Sequence, residues 1–396
     1  MPGTDPDPRA AAPQRRCLRR RDPLWSWHEQ QCFSGINRPL SNIEDRAAEV
    51  PGTLDSAAVG ALTTWARDNG IGSRVSDVEP LAGGTQNVVV RMRVDDRRLV
   101  LRRPPPHPRP NSNRTMQREI AVLQTLAGSS VPHPEFVAGC DDLGVLGVVF
   151  YLMEDVDGFN PATEVAPAYA ADPRLRHQVG LNYAADLARL SAAPWRGRPL
   201  QQLHRPGSFL ARQVPNFLAL LDSYRHESYR PEMLEVSRLA DWLGEHRPPD
   251  GEPGIMHGDA HLNNVLLRRD APEVAAFVDW EMCTIGDPLL DLGWILVCWP
   301  DDPDPINAGR ELAALGGLPS RTELVAAYAD AGGRPTGHLN WYIAMACFKL
   351  AIVIEGTYSR YLAGQAHREA GERPHDSASR LITLGVQVAT GDNPFV

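Results

Sequence analysis

The stretch MHGDAHLNNVLLRRDAPEVAAFVDWE, residues 256–281, decides how the rest of this chain is read. It contains two short β-like runs, residues 264–267 and 274–279. His257, Gly258 and Asp259 stand just ahead of the first run. Asn264 opens that run, five positions after Asp259, and Asp279 closes the second. A tight loop leading into a strand sets Asp259 and Asn264 on one side, and a hairpin partner strand brings Asp279 to them. Taken singly, each is an ordinary turn residue, because Gly, Asp and Asn favour turns. Taken together, in this order and in this β context, they read as a chemical constellation. One carboxylate faces an acceptor, while a carboxamide and a second carboxylate offer hard oxygen ligands of the kind Mg²⁺ takes.

The same Asp-to-Asn spacing occurs in the protein-kinase catalytic loop, H-R-D-x-x-x-x-N, and Asp279 falls where a kinase places the Asp of D-F-G. Phosphoryl transfer needs positioning and charge neutralisation more than covalent chemistry, which this residue set can supply. The chain has H-G-D rather than H-R-D and lacks recognisable D-F-G and A-P-E elements, which counts against a protein kinase.

The fuller pattern joins His257-Gly258-Asp259, Asn264, Val278-Asp279-Trp280-Glu281 and Gly286-Asp287-Pro288-Leu289-Leu290-Asp291-Leu292. It resembles the aminoglycoside phosphotransferase and choline kinase superfamily. Residues 99–105 (LVLRRPP), 150–158 (FYLMEDVDG) and 348–365 (FKLAIVIEGTYSRYLAGQ) are most similar to the branch related to the kinase-like domain of acyl-CoA dehydrogenase fusion proteins. The resemblance covers residues 51 to about 390. It implies an α+β, bilobal protein-kinase-like fold with a small β-rich N-lobe and a larger, mainly helical C-lobe. It also implies ATP as phosphate donor, with GTP left open, together with Mg²⁺ and a small-molecule hydroxyl acceptor. On this resemblance Asp259 is the base or hydroxyl-orienting residue and Asn264 and Asp279 are the Mg²⁺ ligands. His257 joins the catalytic set as a support of the loop. Asp291 is either a second support or a charge at a helix N-terminus. Fold does not choose the acceptor among those that such enzymes use. A nucleotide-binding pseudokinase with a regulatory role is the alternative reading.

Working outward, residues 51–154 read as the nucleotide-binding lobe and 155–396 as the catalytic and substrate lobe. A helix is expected from Leu54-Asp55, capped by Asp55 or Ser56, to Asn69-Gly70. Residues 88–94 (VVVRMRV) and 97–103 (RRLVLRR) form a hairpin about Asp95-Asp96, ended by the proline-rich run 104–110. Met116, Ile120, Leu123 and Ala127 then recur at helical spacing. Residues 145–153 read as a strand and 154–158 as a linker. Beyond it helices dominate, with Val179, Tyr183, Leu187 and Leu190 lining one face and further helices near 208–225, 232–245, 322–331 and 340–363.

On the nucleotide side, Gly83, Gly84 and Thr85 lie in a loop whose backbone N–H groups can cradle phosphate. Lys349 is the chain's only lysine, so no lysine stands on the hairpin's second strand, where a kinase carries one. Val100 and Arg102 share a strand face, so Val100 covers adenine while Arg102 reaches phosphate, held by Glu119 on the following helix. Arg103 leaves from the opposite face. Met153 and Glu154, with the residues up to Val156, match a hinge that binds adenine through its backbone. Candidate acceptor contacts are Trp294, Trp299, Asp301, Asp302, Tyr358 and Arg360, each more readily read as core, surface or scaffold than as a substrate contact.

A net charge of −9 argues against nucleic acid as a partner. Six cysteines without a C-x-x-C fit a reduced, cytoplasmic setting. The apolar stretch 341–354 is broken by Lys349 and reads as too short to span a bilayer. Residues 1–50 are rich in Arg and Pro, lack an apolar signal core and are expected to form a disordered tail.

Overall fold

The computed structural model describes residues 54–81, 87–105, 108, 110–300, 310–364, 373–393 and 395. Residues 1–50, together with Gly83, Gly84, Thr85, Asp301 and Asp302, lie outside them.

Asp55 caps helix α1 (Ser56–Asp68), accepting a hydrogen bond from Ala58 N at 2.7 Å. Next come strands β1 (Val75–Pro80), β2 (Val88–Val94) and β3 (Arg97–Arg103). The β2–β3 hairpin pairs Val88 with Arg103 and Val94 with Arg97. Its turn puts Asp95 in the left-handed region, φ +51°, where Asp tolerates it. The carboxylate there accepts from the backbone N–H groups of Ser73 and Arg74. Valine and aliphatic residues at every second position drive the alternation. Val88, Val90, Met92 and Val94 are buried with Leu99 and Leu101 against Leu62 of α1, forming the small lobe's own core. Val100 and Arg102 project from the other face.

Helix α2 (Ser112–Leu126) follows, burying Met116, Glu119 and Leu123. Then come β4 (Phe136–Cys140), the short helix α3 (Leu143–Leu146) and β5 (Phe150–Glu154). The strand expected from residue 145 therefore begins only at Phe150. Asp142 accepts from Gly144 N and closes a helical turn, which Gly147 ends in the left-handed region at φ +75°. The five strands form one antiparallel sheet, ordered β1-β2-β3-β5-β4.

Past β5 the chain enters the larger lobe. Phe159 exchanges two backbone hydrogen bonds of 2.9 Å with Leu267, tying the connection to the catalytic stretch. This lobe is built from α4 (Pro167–Ala171), α5 (Pro173–Ala192), α6 (Gln213–Ser223), α7 (Ser237–Glu245), α8 (Leu289–Cys298), α9 (Arg310–Ala314), α10 (Arg321–Asp330), α11 (Leu339–Leu362) and α12 (Arg373–Ala389). Val179, Tyr183, Leu187 and Leu190 of α5 are buried together, the face that their spacing marks. Helix α11 is long and apolar enough to cross a bilayer by length and composition, contrary to the shorter stretch read from sequence, but 83% of its apolar window is buried in this core. It packs against α8 so closely that a Cβ on Gly293 would come within 2.6 Å of Tyr342 O. Each large apolar side chain fully buried here, such as Phe348 or Ile352, contributes about 1.5–3 kcal/mol of transfer free energy. Two short antiparallel ribbons carry the site. One pairs β6 (Gly254–Met256) with β9 (Thr284–Gly286), and the other pairs β7 (Val265–Leu267) with β8 (Val274–Phe277).

Candidate active site

The loop from His257 to Asn264, ending in a 3₁₀ turn over Leu262–Asn264, joins β6 to β7. Gly258 turns it at φ +84°, and a Cβ there would meet Met282 O at 2.4 Å, so both backbone shape and space call for glycine. Asp291, in the first turn of α8, holds this turn from below. Its two carboxylate oxygens accept from His257 N at 2.6 Å and Gly258 N at 2.9 Å. Asp291 is thus both a support and a charge at a helix start. Burial raises its pKa to about 6, against the pull of those two N–H groups. On the opposite side, the Lys349 ammonium donates to Gly258 O at 2.8 Å and lies 4.5 Å from the centroid of the Trp294 ring.

His257 is fully buried, and its Nε2 donates to Val278 O at 3.0 Å, linking the loop to the strand that leads to Asp279. Burial pushes its pKa down to about 4, so the ring is neutral. Asp259 is buried as well. Asn264 Nδ2 donates to its Oδ2 at 2.9 Å and to its backbone oxygen at 3.0 Å, while His261 Nε2 lies 3.3 Å from Oδ2. Burial would raise the Asp259 pKa, but His261, His257 and Lys349 outweigh it and hold the group at about 2. Its Oδ1 is buried without a hydrogen-bond partner, an acceptor position suited to an incoming hydroxyl.

Asp279 lies just past β8, with φ 64° and ψ 62°, at the start of a 3₁₀ turn over Trp280–Met282. This left-handed backbone, which Asp adopts more readily than most non-glycine residues, turns the chain there. Its Oδ1 lies 2.6 Å from Arg102 Nη2. Arg102 also reaches Glu119, Nε to Oε2 at 2.8 Å and Nη2 to Oε1 at 3.1 Å, and the Tyr151 hydroxyl donates to Glu119 Oε2 at 2.7 Å. Burial opposes the Arg102 charge, but Glu119 and Asp279 prevail and keep its pKa well above the usual value. The charge of Asp279 acts on both His257 and His261, so the two clusters share one electrostatic field.

Glu119, Asp279 and Glu281 offer carboxylate oxygens within 4.8 Å of one another. Because Asn264 donates through Nδ2 to Asp259, its carbonyl oxygen is left for another partner. An all-oxygen set of this kind fits a hard cation such as Mg²⁺.

Among the other sequence-derived candidates, Val100 is buried on the cleft face of β3, paired in register with Met153. Glu154 ends β5, its carboxylate on Arg97 and its backbone N–H on Glu135 O at 2.9 Å. Arg103 is buried on the α1 side of the sheet, away from Arg102. Trp294 lines a cleft beside Gly258. Trp299 does not, being buried with Nε1 donating to Pro319 O at 2.8 Å. Tyr358 stacks on His375, and Arg360 donates to Thr357 Oγ1. Sequence reasoning passed over Tyr151, His261 and the role of Lys349. His261 sits inside the quoted loop, and a sole lysine was itself a signal, whereas nothing local marked Tyr151.

Fold and site together define a kinase-like phosphotransferase. The chain belongs to the phosphotransferase enzyme family, whose model matches residues 77–327. Acyl-CoA dehydrogenase family member 11 from Gallus gallus is 30% identical over 324 residues, covering 79% of this chain and 40% of that protein. The chain thus spans less than half the length of the curated relatives it matches. A solved structure from Ralstonia eutropha, assigned as an aminoglycoside phosphotransferase, superposes with a TM-score of 0.68 at 27% identity, covering 84% of this chain and 98% of that one. The ternary complex of APH(2")-IIa with streptomycin and ATP shares the fold, with a TM-score of 0.54 at 14% identity, covering 85% and 99%.

Proposed function

We propose that this chain is an ATP- and Mg²⁺-dependent small-molecule kinase, moving the γ-phosphoryl group to a hydroxyl of its acceptor. The observation that carries this reading is the meeting of Arg102 and Glu119 of the small lobe with Asp279 of the large lobe, beside the Asp259–Asn264 pair. Asp259 receives the acceptor O–H at its unpartnered Oδ1 and orients the oxygen towards phosphorus. The new O–P bond forms as the bond between the β-phosphate oxygen and the γ-phosphorus breaks. Asp259 takes the hydroxyl proton, and ADP leaves. A carboxylate this acidic acts mainly by orientation, accepting the proton late, when the oxygen has become acidic. Asn264 and Asp279 are the residues to hold Mg²⁺, which neutralises phosphate charge and orients the γ-phosphoryl group. Arg102, steadied by Glu119 and Tyr151, supplies the cation that lysine supplies elsewhere. Val100 and the backbone of Met153 and Glu154 border the adenine position. The ATP bound by the neighbouring APH(2")-IIa supports the choice of donor.

The test is ADP release with ATP, Mg²⁺ and a panel of hydroxyl metabolites. Acceptor-dependent ADP that disappears in Asp279→Ala is the expected result. Unaltered turnover in Asp279→Ala refutes the metal assignment. Nucleotide binding without turnover on any acceptor of a broad panel favours the pseudokinase.

A further inference from the structure

Beside the catalytic loop lies a cleft whose lining includes Gly258, the residue just before Asp259 in the chain. Its wall is apolar, built from Phe209, Phe217, Leu290, Trp294 and Met345. Its charges are one-sided. Among the described residues, Arg205, Arg212 and Lys349 line it, against a single carboxylate, Asp291. Both oxygens of Asp291 are already taken by the N–H groups of His257 and Gly258. Arg205 is exposed at the rim and Arg212 half-buried, its guanidinium 5.9 Å from the centroid of the Phe209 ring. Burial, and then repulsion from Arg212, Arg114 and Arg118, lowers the Arg205 pKa, so α2 adds further positive charge at this edge. Arg118 is itself bound to the cleft's border, donating to Glu281 O at 2.6 Å.

A polycation is disfavoured in such a cleft, because Arg205, Arg212 and Lys349 outnumber the carboxylates of Asp291 and the nearby Asp259. An anion gains from the same field. Carboxylate and phosphate are also the groups that the arginine fork matches. We infer that this cleft selects an anionic acceptor, a hydroxyl compound with a carboxylate or phosphate group on an apolar body, held by Arg205 and Arg212 at the rim with Lys349 at the floor. The apolar wall takes the body, and the hydroxyl faces Asp259. Acceptors of the streptomycin kind, which are cationic, are excluded. The inference rests on the phosphotransferase reading for the role of the ligand, but not for its charge.

The test uses the full chain and four probes: 3-phenyllactate (carboxylate), phenyl phosphate, phenyllactamide (neutral) and kanamycin (polycation). Calorimetry measures the affinity of each for the wild type and for an Arg205→Ser/Arg212→Ser variant. In parallel, pyridoxal 5′-phosphate with borohydride labels Lys349, the sole lysine, and mass spectrometry maps protection. We expect phenyllactate or phenyl phosphate, or both, to bind and to protect Lys349; comparing the two tells carboxylate from phosphate. Phenyllactamide and kanamycin should do neither. Losing two partly exposed charges should weaken anion binding roughly tenfold. Phenyllactamide or kanamycin binding as tightly as both anions overturns the inference, as does anion affinity unchanged in the double variant. ADP release is followed with the same probes. ADP formed with kanamycin keeps the kinase and refutes the anionic acceptor. Anion binding with no ADP from phenyllactate keeps the charge selection, and the kinase reading then falls only if the broad hydroxyl panel also yields none.

Discussion

Replacing Arg102 by alanine strips Glu119 of the guanidinium contacts at 2.8 and 3.1 Å, and the Glu119 side chain is only 1% exposed. The Tyr151 hydroxyl at 2.7 Å remains as a neutral donor. Breaking a buried pair in this way leaves an uncompensated charge and costs about 3–5 kcal/mol. At about 2 °C per kcal/mol, the lower end for a larger domain, the melting temperature should fall by roughly 6–10 °C. The loss should depend on pH. Burial already raises the Glu119 pKa, and without the cation it rises further. The folded variant then binds a proton above the unfolded carboxyl's pKa, so stability recovers as pH falls. The penalty is therefore largest near pH 8 and shrinks towards pH 5. Adding Glu119→Gln removes the buried charge and should restore most of the lost melting temperature. Arg102→Lys should restore only part, since a point charge cannot bridge Glu119 and Asp279 with one fork. Arg103→Ala, on the α1 side of the sheet, should leave ATP affinity unchanged. Thermal melts at pH 5, 6.5 and 8, with calorimetry of Mg·ATP binding, decide the matter. A double variant no more stable than Arg102→Ala, or ATP affinity lost through Arg103 rather than Arg102, refutes the reasoning.

Asp259→Asn should keep Mg·ATP affinity while slowing turnover about 10²–10⁴-fold, the range for a positioned acid–base group; lost affinity at unchanged kcat would give Asp259 another role. Gly258→Ala must move backbone at Met282 O, and should cost about 3 kcal/mol or more in urea unfolding along with activity; a near-native midpoint would contradict the close approach. His257 is held down at about 4, so below pH 6.5 the unfolded chain takes up the proton first and stability falls as pH drops towards 4. His257→Gln keeps a donor for Val278 O without titrating, so its unfolding free energy should fall less over that range, by about 3 kcal/mol. Parallel pH profiles for the two proteins would place that proton elsewhere.

The alternation of the β2–β3 hairpin, the Asp55 cap and the buried face of α5 were legible in the sequence, because each depends on neighbours within a few residues. The Asp259–Asn264 spacing was legible for the same reason, since one loop sets both residues. Val100 and Arg102 emerging on one face, with Arg103 on the other, followed from the period of two. Strand length between residues 145 and 153 was misread, because the turn closed by Asp142 and Gly147 competed with the apolar run and won. The β6–β9 ribbon carried little signal, being two strands of three residues each. Other features belong to tertiary structure. Asp279 reaches Arg102 across 177 positions of sequence, and Lys349 reaches Gly258 across 91. Tyr151 found Glu119 because β5 lies beside β3 under α2, and the positive charge of the cleft beside Gly258 appeared only when Arg205, Arg212 and Lys349 came together. Local spacing can say which groups a loop or strand presents. Which distant charges share a low-dielectric space, and so which pKa values move and which ligands are favoured, is decided only when packing brings those groups together.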